Sequence, residues 1–177
     1  YGTLQVQKGT VWEIAQWFPA VAVYDDVHGW NTLPYIGTGE FYMNYGTFDV
    51  RITVPHDHLV VATGVLQNED EVYTQEQRQR LDRARKSEET VVVRGKDEVG
   101  DKSARPAGDA PITWHFHAEK VRTFAWASSE AFILDAASLG DTLIQSAYTE
   151  EVQDTWSKST QMLRAAIGGY SKRWVPY

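Results

Sequence analysis

Four of the five histidines stand as two His-x-His pairs, His56/His58 and His115/His117. On an extended strand this spacing puts both imidazoles of a pair on one side, and two pairs brought together would offer zinc four nitrogen ligands. Each pair also has a plainer reading. His56 and His58 follow Pro55 as solvent-facing loop residues, and His115 and His117 alternate with Trp114 and Phe116, so that their rings face water. Ser128-Ser129-Glu130 combines hydroxyls with a carboxylate, but there is no Gly-x-Ser-x-Gly elbow and no histidine nearby in sequence. Asp25 and Asp26 are adjacent, so on extended backbone they point to opposite faces and cannot address one substrate atom. Turn formation is their expected role. Gly37-Thr38-Gly39-Glu40 lacks the third glycine and the following helix of a phosphate loop, and no histidine is followed by glutamate, so the His-Glu-x-x-His motif is absent. Taken on its own residues, the chain does not read as a self-sufficient enzyme.

The composition narrows the partners. A chain of 177 residues, 42 % hydrophobic and 23 % charged, suits one globular domain or a domain plus part of a second. Seven Trp, nine Tyr and six Phe call for an aromatic, sheet-compatible core. Seventeen Lys and Arg against 24 Asp and Glu give a net charge of -7, which repels nucleic acid and anionic membrane surfaces alike. The absence of cysteine excludes disulfides, thiolate zinc sites and a cysteine nucleophile. No run approaches the ~18 apolar residues of a membrane span, and any targeting signal is expected outside a sequence that opens at Tyr1 without a basic-then-apolar leader.

These residues must be positioned mainly by strands. Alternation predicts strands over 11–18, around Phe41 to Tyr45, and most cleanly from Phe48 to Pro55, where Phe48, Val50, Ile52 and Val54 share one face. Thr74 followed by Gln77 is a capping box, and Glu76/Arg80 and Asp82/Lys86 are spaced as helical charge pairs, so 74–87 is expected to be a short exposed helix. Gly95 to Pro111 reads as a polar, mobile surface loop. Strand character returns at 112–118, 121–127, 131–135 and 142–148. Thr149, with Glu150 and Glu151 in the first turn, then caps a long helix whose apolar stripe runs Val152, Trp156, Leu163, Ile167, Tyr170, and Gly168-Gly169 should stop it. The fold class expected is mainly β: an antiparallel, β-sandwich-like, saddle-shaped domain with one short exposed helix and a long C-terminal helix. No second helix is available to cover that stripe, so a missing neighbour is expected to do so.

Several runs, taken in order, carry a resemblance. They are Ala15-Gln16-Trp17-Phe18-Pro19, Val23-Tyr24-Asp25-Asp26, Gly29-Trp30-Asn31, Tyr35-Ile36-Gly37, Gly39-Glu40-Phe41-Tyr42, Tyr45-Gly46-Thr47-Phe48-Asp49-Val50 and Ile52-Thr53-Val54-Pro55. Val60-Val61-Ala62-Thr63-Gly64, Leu66-Gln67-Asn68, Thr113-Trp114-His115-Phe116 and Phe124-Ala125-Trp126-Ala127-Ser128 follow. The pattern resembles the amino-terminal region of bacterial zinc metallopeptidases of the aminopeptidase N type, the gluzincin aminopeptidases. Ala20 departs from it, since many relatives carry a larger or basic residue after Trp-Phe-Pro.

The resemblance implies that 1–148 is the β-rich amino-terminal domain and 149–177 the first helix of a thermolysin-like catalytic domain lying beyond this sequence. The chain would then be a non-catalytic piece that shapes the substrate cleft, with no cofactor of its own. Zinc is expected in the catalytic domain, which is its partner, and peptides are the substrates of the whole protein. A secreted or periplasmic location is implied. Relatives lend a Gln or Glu from this domain to the free amino group of the peptide, and Glu13 and Gln16 are the nearest side chains of that chemistry, since a carboxylate suits an ammonium in a closed cleft. Two other functions fit the composition: a free-standing β-sandwich module that binds carbohydrate on Trp30, Tyr35 and Tyr42, or the scaffold domain of an inactive peptidase homologue. An uncovered terminal helix would also invite self-association.

Overall fold

The computed structural model describes residues 1–34, 37 and 41–176. In chain order its elements are β1 (Gly2–Val6), β2 (Gly9–Ile14), β3 (Tyr24–Asp25), β4 (Gly29–Trp30), β5 (Gly46–Val54), β6 (Leu59–Ala62) and β7 (Val65–Leu66). There follow α1 (Glu69–Val72), α2 (Gln75–Ala84), β8 (Val91–Arg94), β9 (Ile112–Val121), β10 (Trp126–Ser129), β11 (Ile133–Leu139), β12 (Thr142–Tyr148), α3 (Gln153–Trp156) and α4 (Ser159–Arg173). The fold is mainly β, with antiparallel pairing throughout the described strands, a short helix and a C-terminal helix. The strand orders are β1-β2-β10-β6, β5-β9-β7, β12-β11-β8 and the small hairpin β3-β4.

The β5–β9 pair is the longest ladder and follows the alternation read from 48–55. Ile52 and Val54 are buried on one face while Asp49, Arg51 and Thr53 stay exposed on the other. On β9, Trp114, Phe116 and Ala118 are buried, and register places Ile52 opposite Trp114 and Val50 opposite Phe116. Tyr73, at the end of α1, meets Trp114 edge-on with centroids 5.2 Å apart. These rings join Leu81, Ala84 and Val93 in one apolar cluster with Leu134 and Ala136 of β11.

The capping box forms, with Thr74 accepting from Gln77 N and the Gln77 side chain accepting from Thr74 N. Glu76 pairs with Arg80, but Asp82 pairs with Arg85, three residues on, instead of Lys86. The helix is also less exposed than expected. Gln77, Leu81 and Ala84 turn into the core, because β8, a short strand without alternation in its sequence, supplies Val93 as a wall.

Other expectations shift. The strand predicted over 11–18 stops at Ile14, since Gln16 takes a left-handed backbone (φ 53°) and lets Phe18 pack edge-on against Phe48. Trp17 Nε1 then donates to the Phe124 carbonyl at 3.0 Å. Phe41 to Tyr45 forms no strand, and the predicted 121–127 strand is divided, Val121 ending β9 and Trp126 and Ala127 opening β10. The 95–111 loop contains two 3-10 turns, 96–98 and 102–104.

The change from strand to helix falls after Tyr148 as expected, yet Thr149 makes no capping bond and the long helix is divided at Ser157-Lys158. The first turn is drawn to the β1–β2 hairpin instead: Glu151 accepts from Gln7 N at 2.5 Å and Glu150 pairs with Lys8 at 2.8 Å. Gly168-Gly169 does not stop α4, which runs to Arg173. A Cβ on Gly168 would stand 3.6 Å from Leu139, so this glycine faces the sheet. The helix therefore does cover part of the domain. Arg164 Nε donates to the Ser138 carbonyl at 3.0 Å, and α4 lies on β11 and β12. Strand β11 is buried on both sides for that reason, Leu134 and Ala136 toward the main core and the alternate residues toward α4. Truncation of a side chain as enclosed as Leu81, 1 % exposed, leaves a cavity that rigid neighbours cannot fill. Leu81→Ala is expected to lower unfolding free energy by about 2–5 kcal/mol in urea titration.

Candidate functional site

Glu13 lies on β2 opposite Gly2 and Ala127, and its side chain is exposed. Gln16, also exposed, sits past the strand end in its left-handed turn, so the two do not share a regular strand face. Holding a non-glycine residue there costs ~1–2 kcal/mol, which makes the turn a fixed, locally strained feature beside Glu13.

The histidine pairs do not converge. His115 and His117 project from the outer face of β9, where Asp49 of β5 receives them both: Asp49 Oδ2 lies 2.9 Å from His115 Nε2 and 3.6 Å from His117 Nδ1. Hydrogen bonding from His115 is the main cause holding the Asp49 carboxyl below its ordinary range. His56 and His58 occupy the turn between β5 and β6, closed by a bond from His58 N to the Pro55 carbonyl. Among the described residues no three His, Asp or Glu side chains are grouped to hold a metal ion, so the four-imidazole zinc site does not form.

His58 is not solvent-facing. Its side chain is 11 % exposed, with Nδ1 2.7 Å from Ser128 Oγ and Nε2 3.3 Å from Glu130 Oε2, the latter contact lacking hydrogen-bond geometry. Glu130 Oε1 accepts from Thr10 N at 3.1 Å, and a Cβ on Gly9 would fall 2.1 Å from the Glu130 carboxyl carbon. Glycine is thus required where the hairpin passes over the acid. A hydroxyl, an imidazole and a carboxylate in sequence have the order of an activated nucleophile. Ser128, however, is 2 % exposed on a strand paired on both sides, so no substrate reaches Oγ. The chain of contacts ties β10, the 55–58 turn and the β1–β2 hairpin together. Sequence reading missed it because its members are separated by up to 120 residues.

Asp25 is a turn residue, as expected: its carboxylate accepts from Val27 N, His28 N and Asn31 Nδ2. The bond from His28 N is the largest cause holding its carboxyl low. Of the expected stacking aromatics, Trp30 and Tyr42 are exposed and Tyr35 lies outside the described residues, as do Thr38, Gly39 and Glu40 of the quoted motifs. Trp30 meets Tyr24 edge-on at 5.2 Å and 72°, so this pair does not present one flat platform.

With this geometry in view, comparison with protein-family models, with curated proteins and with solved structures yields no match to the chain. The candidate residues therefore rest on their own surroundings.

One carboxyl stands out by burial. Asp135 of β11 is 2 % exposed, accepts a 2.5 Å bond from Tyr148 Oη, and leaves Oδ1 without a partner beneath the C-terminal helix layer. Desolvation pushes its pKa above the ordinary 3.8, and the Tyr148 bond only partly offsets that. A native state that keeps this proton longer than the unfolded chain loses stability as pH rises from about 4 through the raised pKa. Asp135→Asn keeps an acceptor for Tyr148 and removes the titration. The slope of unfolding free energy between pH 4 and neutrality is expected to become less negative in that variant, by urea titration across pH.

Proposed function

We propose that the chain is the β-rich, non-hydrolytic amino-terminal part of a zinc metallopeptidase of the aminopeptidase N type, shaping the substrate cleft beside the catalytic domain. The observation that carries this reading is the apolar band along the C-terminal helices. Leu163 and Tyr170 share one flank of α4 by their spacing, and with Trp174, just past its end, and Trp156 of α3 they are 44, 67, 77 and 49 % exposed. Arg164 and Gly168 meet the sheet, leaving that flank without a cover. Uncovered apolar bands of this kind mark interaction surfaces, and the motif resemblance names the occupant as the catalytic domain. The same flank would favour self-association when no such domain is present.

In this reading zinc and the hydrolytic residues belong to the catalytic domain. Glu13, exposed at the end of β2, would face the free amino group of a peptide, and Gln16 would flank it. The 177-residue chain alone is expected to show no hydrolysis of aminoacyl anilides and no saturable heat on zinc titration; turnover above background overturns the reading. Within a longer protein that includes the catalytic domain, Glu13→Gln should raise KM for free-amino peptides several-fold with little change in kcat. An unchanged KM removes Glu13 from the substrate site.

A further inference from the structure

Below the turn that follows β5 lies a small cavity of about 20 Å³, bordered by His56, Asp57, Tyr73, Arg94, Arg105 and Trp114. It has room for one small particle, a water molecule or a monatomic ion. Three of these residues each leave a buried nitrogen without a partner: His56 Nδ1, Arg94 Nε and Trp114 Nε1. Orphaned buried donors are costly and rare, and three around one void point to an occupant that accepts from them.

Charge decides what kind of occupant. Arg94 is only 6 % exposed, and its bond to protein runs from Nη2 to the Glu130 carbonyl at 3.1 Å. The acids in its neighbourhood are engaged elsewhere. Asp57 faces Arg105 at 3.7 Å, Glu98 binds Arg80 at 2.6 Å and Gly95 N at 2.7 Å, and the Glu130 carboxylate turns to Thr10 and His58. The buried guanidinium is thereby left with no carboxylate bonded to it; Glu98 and Asp57 act on it only from a distance, and burial lowers its pKa from the ordinary value. Arginine and the indole N–H are donors only, while a histidine Nδ1 donates in one tautomer. A water molecule would satisfy the donors alone; an anion would also give the guanidinium a bonded counter-charge.

We propose that this cavity binds one small monovalent anion of chloride size, held by Arg94 Nε, Trp114 Nε1 and His56 Nδ1. A space of about 20 Å³ suits a single-atom ion better than a carboxylate or phosphate group. An open cleft of about 590 Å³ adjoins it, sharing His56, Asp57 and Arg105 and carrying Lys102 and Asp109 on its wall, which gives an ion a route from solvent. The bound ion would pin the 55–58 turn and the 104–106 loop to β8 and β9.

The test is thermal unfolding of the 177-residue chain at constant ionic strength while sodium gluconate is exchanged for sodium chloride. A saturable rise in Tm of a few degrees is expected with chloride and not with acetate. Arg94→Met and Trp114→Phe should both lose that rise, the second keeping an aromatic ring so that the result does not depend on Arg94→Met folding. Crystals soaked in bromide should show an anomalous peak between Arg94 Nε and Trp114 Nε1. The proposal is overturned by a Tm indifferent to the exchange, by an equal response to acetate, by an undiminished response in Trp114→Phe, or by bromide-soaked crystals with only water there.

Discussion

The pairing of β5 with β9 is the constraint on which the remaining elements depend. Its register sets Ile52 against Trp114 and Val50 against Phe116 on one face, and Asp49 against His117 and Arg51 against His115 on the other. The apolar face gathers α1, α2 and β8 through Tyr73, Leu81 and Val93, because a large ring such as Trp114 removes apolar surface from water only when other elements close over it. A one-residue slip would exchange the two faces and turn the histidines inward. The end of β5 delivers the Pro55–His58 turn, so the same register decides where His56 and His58 arrive.

Around that ladder the molecule tolerates several polar groups inside its walls, each under different terms. His58 and Glu130 are retained by partners on three segments and act as a tie between strands that share no sequence neighbourhood. Asp135 has one hydroxyl donor and no cation, so burial favours its neutral form. Arg94 has a carbonyl and no acid, an imbalance that a guanidinium cannot readily relieve by losing its proton. Buried ionisable groups stabilise little by themselves; here they fix how turns and helices are seated on the sheets.

The C-terminal segment joins the fold and the proposed function. Its inner side is mostly polar or small where it meets the sheet, at Thr160, Arg164 and Gly168 with Ile167 half-buried, while Leu163 and Tyr170 line an exposed flank. That inversion of the usual amphipathic pattern is why the stripe Val152, Trp156, Leu163, Ile167, Tyr170 was legible from spacing but its orientation was not. Period identifies a face, and only the neighbour decides what the face meets. The glycine pair misled for a related reason, since Gly168 serves approach to Leu139 within a helix whose sheet contacts offset glycine's weak propensity.

Alternation and capping chemistry are local, so the sequence by itself determined the mainly β character, strand β5 with its two faces, strand β12 and the Thr74 start of α2. The turn at Asp25 was equally legible, because a side chain that bonds backbone two and three residues on carries its geometry with it. Tertiary structure alone decided the early end of β2 at Gln16, the insertion of β8 behind α2, and the meeting of His58, Ser128 and Glu130. It also decided that Arg94 would be buried without an acid. Those outcomes depend on contacts between residues far apart in the chain, where burial and charge balance outweigh local preference and leave no periodic trace in the sequence.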